Sequence, residues 1–332
     1  MPSWGRLAKI LVGVAISAAL LIYVFWNVDL HEVAARLSIT NWWFLTVSTL
    51  LNFGSLWIRA WRWHYLFPPG SHPTHLFNAL MIGYMGNNVL PLRAGEGLRA
   101  YVASRRGQRF WTVLATIVVE RVLDGLAVGL IVVALFLMIP IPPHWRRPAA
   151  LFIAVDIVAM IALVVIAMAP GWCGSVARVL FHRWSWVERR AMDVLGTMSE
   201  GLRGVRAGHH FVPIVLSTAL IWLLFALSVW TGLRAAHLDL PVAASWTVLA
   251  FLGLGVSLPS SPGYVGVVQA ATIWALDIFK VPHTEALSFS LLLHASQFIP
   301  VTLYGIVLLL VEHVSLSDAT RPTEASAASP QR

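Results

Sequence analysis

The sequence predicts an all-α membrane protein that crosses the bilayer several times. Of its 332 residues, 58% are hydrophobic and only 11% are charged, whereas soluble domains carry about 25% charged residues. The mean hydropathy is +0.75. Apolar runs of about 20 residues, the length that a helix needs to span the hydrocarbon core, recur along the chain.

These runs predict six full spans. The first follows Arg6 and Lys9 and lacks a small-x-small cleavage site, so it is interpreted as a retained span rather than a signal peptide. The predicted spans cover residues 7–26, 42–61, 113–139, 149–169, 211–233 and 286–311.

Two further apolar runs are short and end in polar or helix-breaking residues. Residues 75–90 open into 87–101, which contains a proline, two glycines and two asparagines. Residues 243–258 open into 259–266, which is followed by the short run 267–278. A lipid-exposed segment cannot leave backbone groups unsatisfied, so such breaks are tolerated only inside protein or beside a water-filled cavity.

The distribution of arginines predicts how these broken elements enter the membrane. Residues 59–62 and 93–109 are both basic, and short basic loops prefer the cytoplasm. Both can lie inside only if the first broken element enters and returns. The second then enters from outside, and both termini are cytoplasmic. Breaks from opposite faces suggest inverted repeats with a site between them, although no convincing repeat is detected in the sequence.

The predicted transmembrane domain covers residues 1–315. Within it, residues 170–210 carry six arginines and should be cytoplasmic, and their apolar spacing predicts amphipathic helices on the membrane surface. Residues 27–41 are interpreted as a short loop. Residues 316–332, rich in small residues, are predicted to form a disordered cytoplasmic tail.

Charge and motifs exclude several classes of function. The net charge of +8 is interpreted as positive-inside loops, since no basic soluble domain is predicted that could hold nucleic acid. The single Cys173 excludes a disulfide framework and a cysteine-rich metal site. Nucleotide-binding, zinc-protease and serine-hydrolase motifs are absent from the sequence. We therefore expect no catalytic residue, no cofactor, no metal ion and no nucleic-acid partner.

The first group of candidate site residues lies in the first break. Arg93, Glu96 and Arg99 are spaced i, i+3, i+6, so on a helix they share a broad face and can pair. The alternative is an ordinary cytoplasmic helix start with a solvated face. We favour a polar binding site because Asn87 and Asn88 would otherwise bury two amides without partners.

The second group lies within an apolar span. Glu120 and Asp124 are four residues apart and project from one face, with Arg121 beside them. Charges inside a membrane are costly and usually pair within the bundle. One alternative is structural, an Arg121–Asp124 pair that locks two helices. Glu120 could pair with Arg93 or Arg99.

The third group forms the second break. Pro259 and Pro262 interrupt a helix, while Gly263 and Gly266 permit close backbone approach. Freed amides at the start of the next half-helix could face an anion, and Gln269 could add donors. The alternative is a tight turn outside the bilayer.

Two further groups of polar residues give weaker signals. Arg59 and Arg62, set among tryptophans, are interpreted as an interfacial cluster of snorkelling side chains. His294, Ser296 and Gln297 are interpreted as hydrogen-bonding groups between helices.

Three motifs, in this order, resemble the lysylphosphatidylglycerol synthase transmembrane family, also described as flippase-like membrane proteins. They are N-x-L-P-x-R-x-G-E-x-x-R at residues 88–99, E-R-x-x-D at 120–124 and L-P-x-x-P-G-x-x-G at 258–266. The R-x-W-R-W run at residues 59–63 is similar to the segment after that family's second span. The resemblance covers nearly the whole chain, to Val311.

The resemblance implies a bacterial inner-membrane protein that moves lipids with polar headgroups between leaflets. The implied partner is a phospholipid, a polyprenyl-phosphate-linked lipid or a hopanoid-type lipid, with an envelope biosynthetic enzyme as a further expected partner. Full synthases carry a soluble aminoacyl-transfer domain after the spans, whereas a short tail follows them here, so no synthase activity is expected. Gln269 stands where many relatives have Glu, and Tyr264 replaces a frequent Gly.

The preferred hypothesis is therefore a lipid flippase. Its candidate arginines would hold the phosphate bidentately, and its carboxylates would hold those arginines or bind a cationic headgroup. One alternative is a membrane-embedded transferase acting on a lipid-linked sugar or aminoacyl group, with Asp29 and Glu32 as candidate carboxylates. Another is a non-transporting partner that recruits an envelope enzyme through residues 170–210.

Overall fold

The computed structural model describes residues 4–26, 28–68, 70–139, 143–182, 210–256 and 261–312, with a few more between 184 and 196. Regular structure in these ranges is helical. The α-helices are α1 Trp4–Phe25, α2 Leu30–Ser38, α3 Trp42–Tyr65, α4 Leu76–Val89, α5 Gly95–Ser104, α6 Phe110–Met138, α7 Pro143–Met168, α8 Pro170–Phe181, α9 Phe211–Ala235, α10 Val242–Val256, α11 Val267–Asp277 and α12 His283–Val311.

The predicted fold class, an all-α membrane protein, is confirmed. Among the described helices, α6, α9 and α12 are each long and apolar enough to cross a membrane, and the bent pair Val14–Phe25 and Leu30–Ser38 would make a fourth span. The count of six full spans stays a prediction. Membrane-surface helices are predicted for residues 170–210, and of this segment the structure describes mainly α8. The tail predicted at 316–332 lies outside the described residues.

The loop predicted for residues 27–41 is wrong, because α2 occupies most of it. Asp29 is its N-cap, and its Oδ1 accepts a hydrogen bond from the backbone N–H of His31 at 2.8 Å. Glu32 in the first turn and Arg36 in the last turn also favour the helix dipole. These helix signals are present in the sequence, although the mixed charge of the segment is equally typical of a loop.

The chain folds into two halves with the same order of helices. In each half, two long helices flank two short ones that are separated by a break. The lengths are 24, 14, 10 and 29 residues for α3–α6, and 25, 15, 11 and 29 for α9–α12. The packing is reciprocal, since α6 lies on α10 and α12 lies on α4.

The central helices α3 and α9 run antiparallel. Ser48 Oγ donates to the carbonyl of Ser228 at 2.7 Å, and Ser228 Oγ donates to the carbonyl of Ser48 at 2.8 Å. Towards the two ends of the pair, Asn41 N–H donates to the carbonyl of Ala235, and Arg62 donates to Thr218. One half is therefore turned over relative to the other, which matches the inverted-repeat hypothesis.

Each broken element turns back on itself. In the first, α5 packs antiparallel on α4, with Gly95 against the backbone of Gly83 and Gly86. A 3₁₀ turn, Pro91–Arg93, joins the two helices. In the second, α11 packs on α10, and the 3₁₀ turn Pro262–Tyr264 lies in the same position. These hairpins have the re-entrant shape that the short apolar runs predict.

Candidate functional site

A cavity of about 740 Å³ lies where the two breaks meet. The contact between the breaks is close, since a Cβ built on Gly263 would lie 3.3 Å from the carbonyl oxygen of Asn88. Side chains from α3, α4, α6, α9, α10 and α12 complete the wall. Polar segments from the two inverted halves thus enclose one space, as their polarity predicts.

Seven of the predicted site residues line this cavity: Asn87, Asn88, Arg93, Glu96, Arg121, Asp124 and Gly263. The lining does not include Arg99, Glu120, Pro262, Gly266 or Gln269. Pro259 lies outside the described residues.

Behind the wall, Glu120 is completely buried between two arginines. Its Oε1 accepts hydrogen bonds from Arg59 at 3.1 Å and from Arg99 at 3.2 Å, and its Oε2 accepts from Arg99 at 2.7 Å. The guanidinium of Arg99 also lies 3.6 Å from the centroid of the Trp63 ring. Glu120 and Arg99 therefore join α3, α5 and α6 rather than facing the cavity. Of the two partners that the sequence left open for Glu120, Arg93 and Arg99, the structure shows Arg99.

Asp124 is held by arginines from the neighbouring helix α3. Its Oδ1 accepts from Arg62 at 2.8 Å, and its Oδ2 accepts from Arg59. The proposed Arg121–Asp124 pair is therefore wrong, because Arg121 pairs with Glu96. The two carboxylates of α6 are four residues apart and the two arginines of α3 are three apart, so both pairs face each other across the helix contact.

The interpretation of Arg59 and Arg62 as snorkelling side chains is also wrong. They are 3% and 0% exposed, respectively. Burying a guanidinium is costly unless a carboxylate compensates it, and Glu120 and Asp124 supply that compensation. The complementary spacing of charges on the two spans is the sequence signal that could have identified them as partners, but it did not enter the sequence-based prediction.

The accessible cationic wall consists of Arg93 and Arg121, which share one carboxylate. Arg121 Nε lies 3.0 Å from Glu96 Oε1, and Arg93 Nη2 lies 3.8 Å from the same oxygen. The side chains remain 40% exposed for Arg93 and 33% for Arg121. Arg99 points away from this pair, so the predicted common face of Arg93, Glu96 and Arg99 is only partly realised.

The cluster carries more positive than negative charge. It contains five arginines, at positions 59, 62, 93, 99 and 121, and three carboxylates, at positions 96, 120 and 124. Two positive charges are thus in excess. Guanidinium groups bind phosphate oxygens in a bidentate geometry, so the open side of Arg93 and Arg121 suits an anion.

The second break is braced by a chain of hydrogen bonds. Gly266 N–H donates to Gln269 Oε1 at 2.8 Å, Gln269 Nε2 donates to His294 Nδ1 at 2.9 Å, and His294 Nε2 donates to the carbonyl of Gly263 at 2.9 Å. This chain assigns the Nε2-protonated tautomer to His294. Gln269 is 3% exposed, so the prediction that it offers donors to a ligand is wrong. The prediction that His294 bonds between helices is confirmed.

Several lining residues were not singled out as site residues by the sequence. The aromatic side chains of Tyr84, Trp222 and Phe225 and the amides of Asn52 and Gln297 all face this space. Their spacing along the individual helices does not distinguish them from residues that pack between helices. Only the packing of α9 and α12 against α3 and α4 brings them together.

Comparison with known proteins assigns the chain to a family. A family described as "Lysylphosphatidylglycerol synthase TM region" matches residues 10–305. The chain belongs to this family.

Two proteins that are similar to this family member are archaeal. The chain is 28% identical over 279 residues to "Glycosyltransferase AglD" of Haloferax volcanii, covering 74% of this chain and 44% of that protein. It is 23% identical over 284 residues to a "UPF0104 membrane protein" of Methanothermobacter thermautotrophicus, covering 80% of this chain and 83% of that protein. The chain thus spans less than half of the glycosyltransferase. No solved structure matches it significantly.

Proposed function

We propose that this protein moves a lipid with a phosphate-containing headgroup between the leaflets of the bacterial inner membrane, with both termini in the cytoplasm. The headgroup occupies the cavity while the acyl chains stay in lipid. The observation that carries the proposal is the pair Arg93 and Arg121, which share Glu96 on the cavity wall and remain partly exposed.

The electrostatics of the cluster support this assignment. Its two excess positive charges offset the negative charge of a phosphate, which is otherwise costly to bring to membrane depth. Glu96 holds both Arg93 and Arg121, so the arginine wall is fixed before a headgroup enters. Fixed donors bind a charge without the cost of reorganising around it.

The test is reconstitution into vesicles that contain phosphatidylglycerol labelled on an acyl chain, with reduction of the label in the outer leaflet as readout. Arg93→Gln and Arg121→Gln should each slow lipid movement about tenfold or more, because a hydrogen bond to a charged group contributes roughly 1.5–3 kcal/mol. Arg234→Gln is the matched control, since Arg234 pairs with Asp239 away from the cavity. Wild-type rates for both cavity variants would remove the proposal.

A second candidate function is a transferase acting on a lipid-linked sugar, which the name of the archaeal relative favours. The carboxylates considered for it have structural partners, since Asp29 caps α2 and Glu32 pairs with Arg36 at 3.2 Å. Purified protein supplied with polyprenyl phosphate and nucleotide sugars tests this candidate directly. Formation of a glycosylated lipid, lost on mutating the cavity arginines, would replace the transport proposal.

A further inference from the structure

We infer that His294 is a proton-binding site coupled to the lipid phosphate, so that the lipid moves together with a proton. This rests on the proposed lipid transport and adds the ion that accompanies the lipid. Two observations carry it. They are the direction of the hydrogen bonds at His294 and the position of its ring on the wall of a cavity with excess positive charge.

The hydrogen bonds at His294 form a chain whose direction is fixed at both ends by the backbone. At one end the N–H of Gly266 can only donate, so Gln269 accepts with Oε1 and donates with Nε2. At the other end the carbonyl of Gly263 can only accept, so His294 donates with Nε2. Its Nδ1 must therefore accept, and a second proton there would place two donors against each other. This arrangement holds only the neutral ring.

Among the described residues that line the cavity, His294 is the one histidine. The titratable and charged groups that share this wall are Arg59 of α3, Tyr84 of α4, Arg93 and Tyr264 of the two breaks, Glu96 of α5, and Arg121 and Asp124 of α6. The described lining residues of α9, α10 and α11 carry no charge. Carboxyl groups ordinarily titrate at about pH 4, phenols at about pH 10 and guanidinium groups above about pH 12. An imidazole changes its charge between about pH 5 and 8, so His294 is the group of this wall that exchanges a proton near neutral pH.

The charge of the cavity links this proton to the lipid. The arginine cluster has two positive charges in excess of its carboxylates, so it repels an imidazolium on the same wall. A phosphate bound at Arg93 and Arg121 offsets that charge and favours the protonated ring. By linkage, the proton strengthens phosphate binding by the same factor. The anion and the proton therefore enter and leave together.

Protonation also acts on the contact between the two breaks. It removes the bond between Gln269 of α11 and His294 of α12, which joins these helices across the second break. Within that break, Gly263 lies against the carbonyl of Asn88 in the first break. A proton on His294 thus loosens the second break where it meets the first, next to the bound headgroup.

The test uses vesicles that contain the wild-type protein and phosphatidylglycerol labelled on an acyl chain, at zero membrane potential and with one pH unit between inside and outside. A lipid that moves with one proton should accumulate in the leaflet that faces the alkaline side. The enrichment should reach about tenfold, because one pH unit is a tenfold ratio of proton activity. Protein-free vesicles with the same gradient give the background.

Two variants test whether His294 holds the proton. His294→Gln keeps a side chain that donates and accepts but takes up no proton near neutral pH. Its rate of lipid movement should be independent of pH between about pH 5 and 8, and the gradient should no longer enrich the lipid in one leaflet. His237→Gln is the matched control, because His237 is exposed, bonds to the carbonyl of Ile39 and does not line the cavity.

The second variant, Gln269→Glu, offers a carboxylate that can accept from Gly266 and from a protonated His294 at once. The midpoint of the pH profile should therefore move to higher pH by about one unit or more. If His294→Gln is less stable than wild type, Gln269→Glu decides by itself, and an unchanged midpoint would overturn the coupling through His294.

The outcomes separate this inference from the proposal beneath it. If the labelled lipid moves no faster than in protein-free vesicles at any pH, lipid transport itself is refuted. If the wild type moves lipid equally at every pH and the gradient leaves the lipid evenly distributed, transport stands and the proton coupling is overturned. If His294→Gln keeps the wild-type pH profile and unfolding temperature, the proton binds elsewhere and the role of His294 is overturned.

Discussion

The guanidinium of Arg93 lies over the ring of Tyr264, 5.9 Å from its centroid. Each residue is the third of a 3₁₀ turn that begins with proline, and each has a positive φ, 56° for Arg93 and 58° for Tyr264. The two halves therefore meet through residues in equivalent positions. A left-handed conformation costs a non-glycine residue roughly 1–2 kcal/mol, and such strain persists mainly at functional sites.

Arg93→Gly should separate the strain from the charge. Glycine removes the left-handed penalty but adds roughly 0.5–1 kcal/mol of unfolded-state entropy, so the free energy of unfolding should change little while lipid movement falls. Ala94→Gly is the control, because Ala94 has φ −61° and gains only the entropic cost. Denaturation in detergent measures the free energy of unfolding of both variants. An Arg93→Gly protein that is less stable than Ala94→Gly would show that the arginine is there for stability.

Glu120→Gln should destabilise the protein by about 3–5 kcal/mol, the usual cost of leaving a buried charge without its partner. The substitution removes the negative charge between Arg59 and Arg99. Glu32→Gln is the control, since its 48%-exposed side chain pairs with Arg36 and should contribute less than about 1 kcal/mol. The two free energies of unfolding are compared in the same detergent. Equal losses of unfolding free energy in the two variants would show that the buried cluster does not stabilise the protein more than a surface ion pair does.

Gly95→Ala should disrupt the first hairpin. Its new methyl group would lie 2.0 Å from the carbonyl oxygen of Gly83 and 2.4 Å from the backbone nitrogen of Asn87. Backbone atoms cannot yield as a side chain can, so we expect a loss of about 1–3 kcal/mol or more. Gly97→Ala, two residues along the same helix, meets no atom within 4 Å and should stabilise by about 0.5–1 kcal/mol. The unfolding temperatures of Gly95→Ala and Gly97→Ala measure this difference in stability. Equal unfolding temperatures would show that α5 does not pack closely on α4.

The sequence predicted those features that depend on local composition. Apolar runs identify membrane helices directly, and the prolines and glycines of the two breaks identify where they stop. It also narrowed the partner of Glu120 to Arg93 or Arg99, because a charge within a span needs a counter-charge nearby, and the structure shows Arg99. Such inferences need only the spacing of residues along one or two helices.

The features that were mispredicted depend on packing between distant segments. Arg59 and Arg62 sit among tryptophans, a pattern that is equally typical of a membrane interface, and only the approach of α6 shows that they are buried. Gln269 was expected to face a ligand, but its side chain turns back to Gly266 and His294. The partner of Arg121 could not be chosen from spacing, since Asp124 and Glu96 are both compatible.

Glu312, just beyond the end of α12, gives the protein a predictable response to acid. A hydrogen bond from Asn78 Nδ2 at 2.8 Å and another from Arg106 hold the pKa of its carboxyl below the usual value of 4.5. A depressed pKa contributes stability that is present above the unfolded-state pKa and is lost as the pH falls through the folded-state value. The contacts tie the first hairpin to α12 and contribute about 1 kcal/mol, since Arg106 is partly exposed.

Glu312→Gln should therefore lower the unfolding temperature at neutral pH and lose that effect in acid. The amide cannot carry the charge that Arg106 pairs with, so wild type and variant differ most above about pH 4.5 and converge below it. Thermal unfolding in detergent across this range measures the difference. A difference that stays constant with pH would mean that the contribution of Glu312 comes from packing, and the hairpin would then be held to α12 by the close approach of Gly305 to Met85.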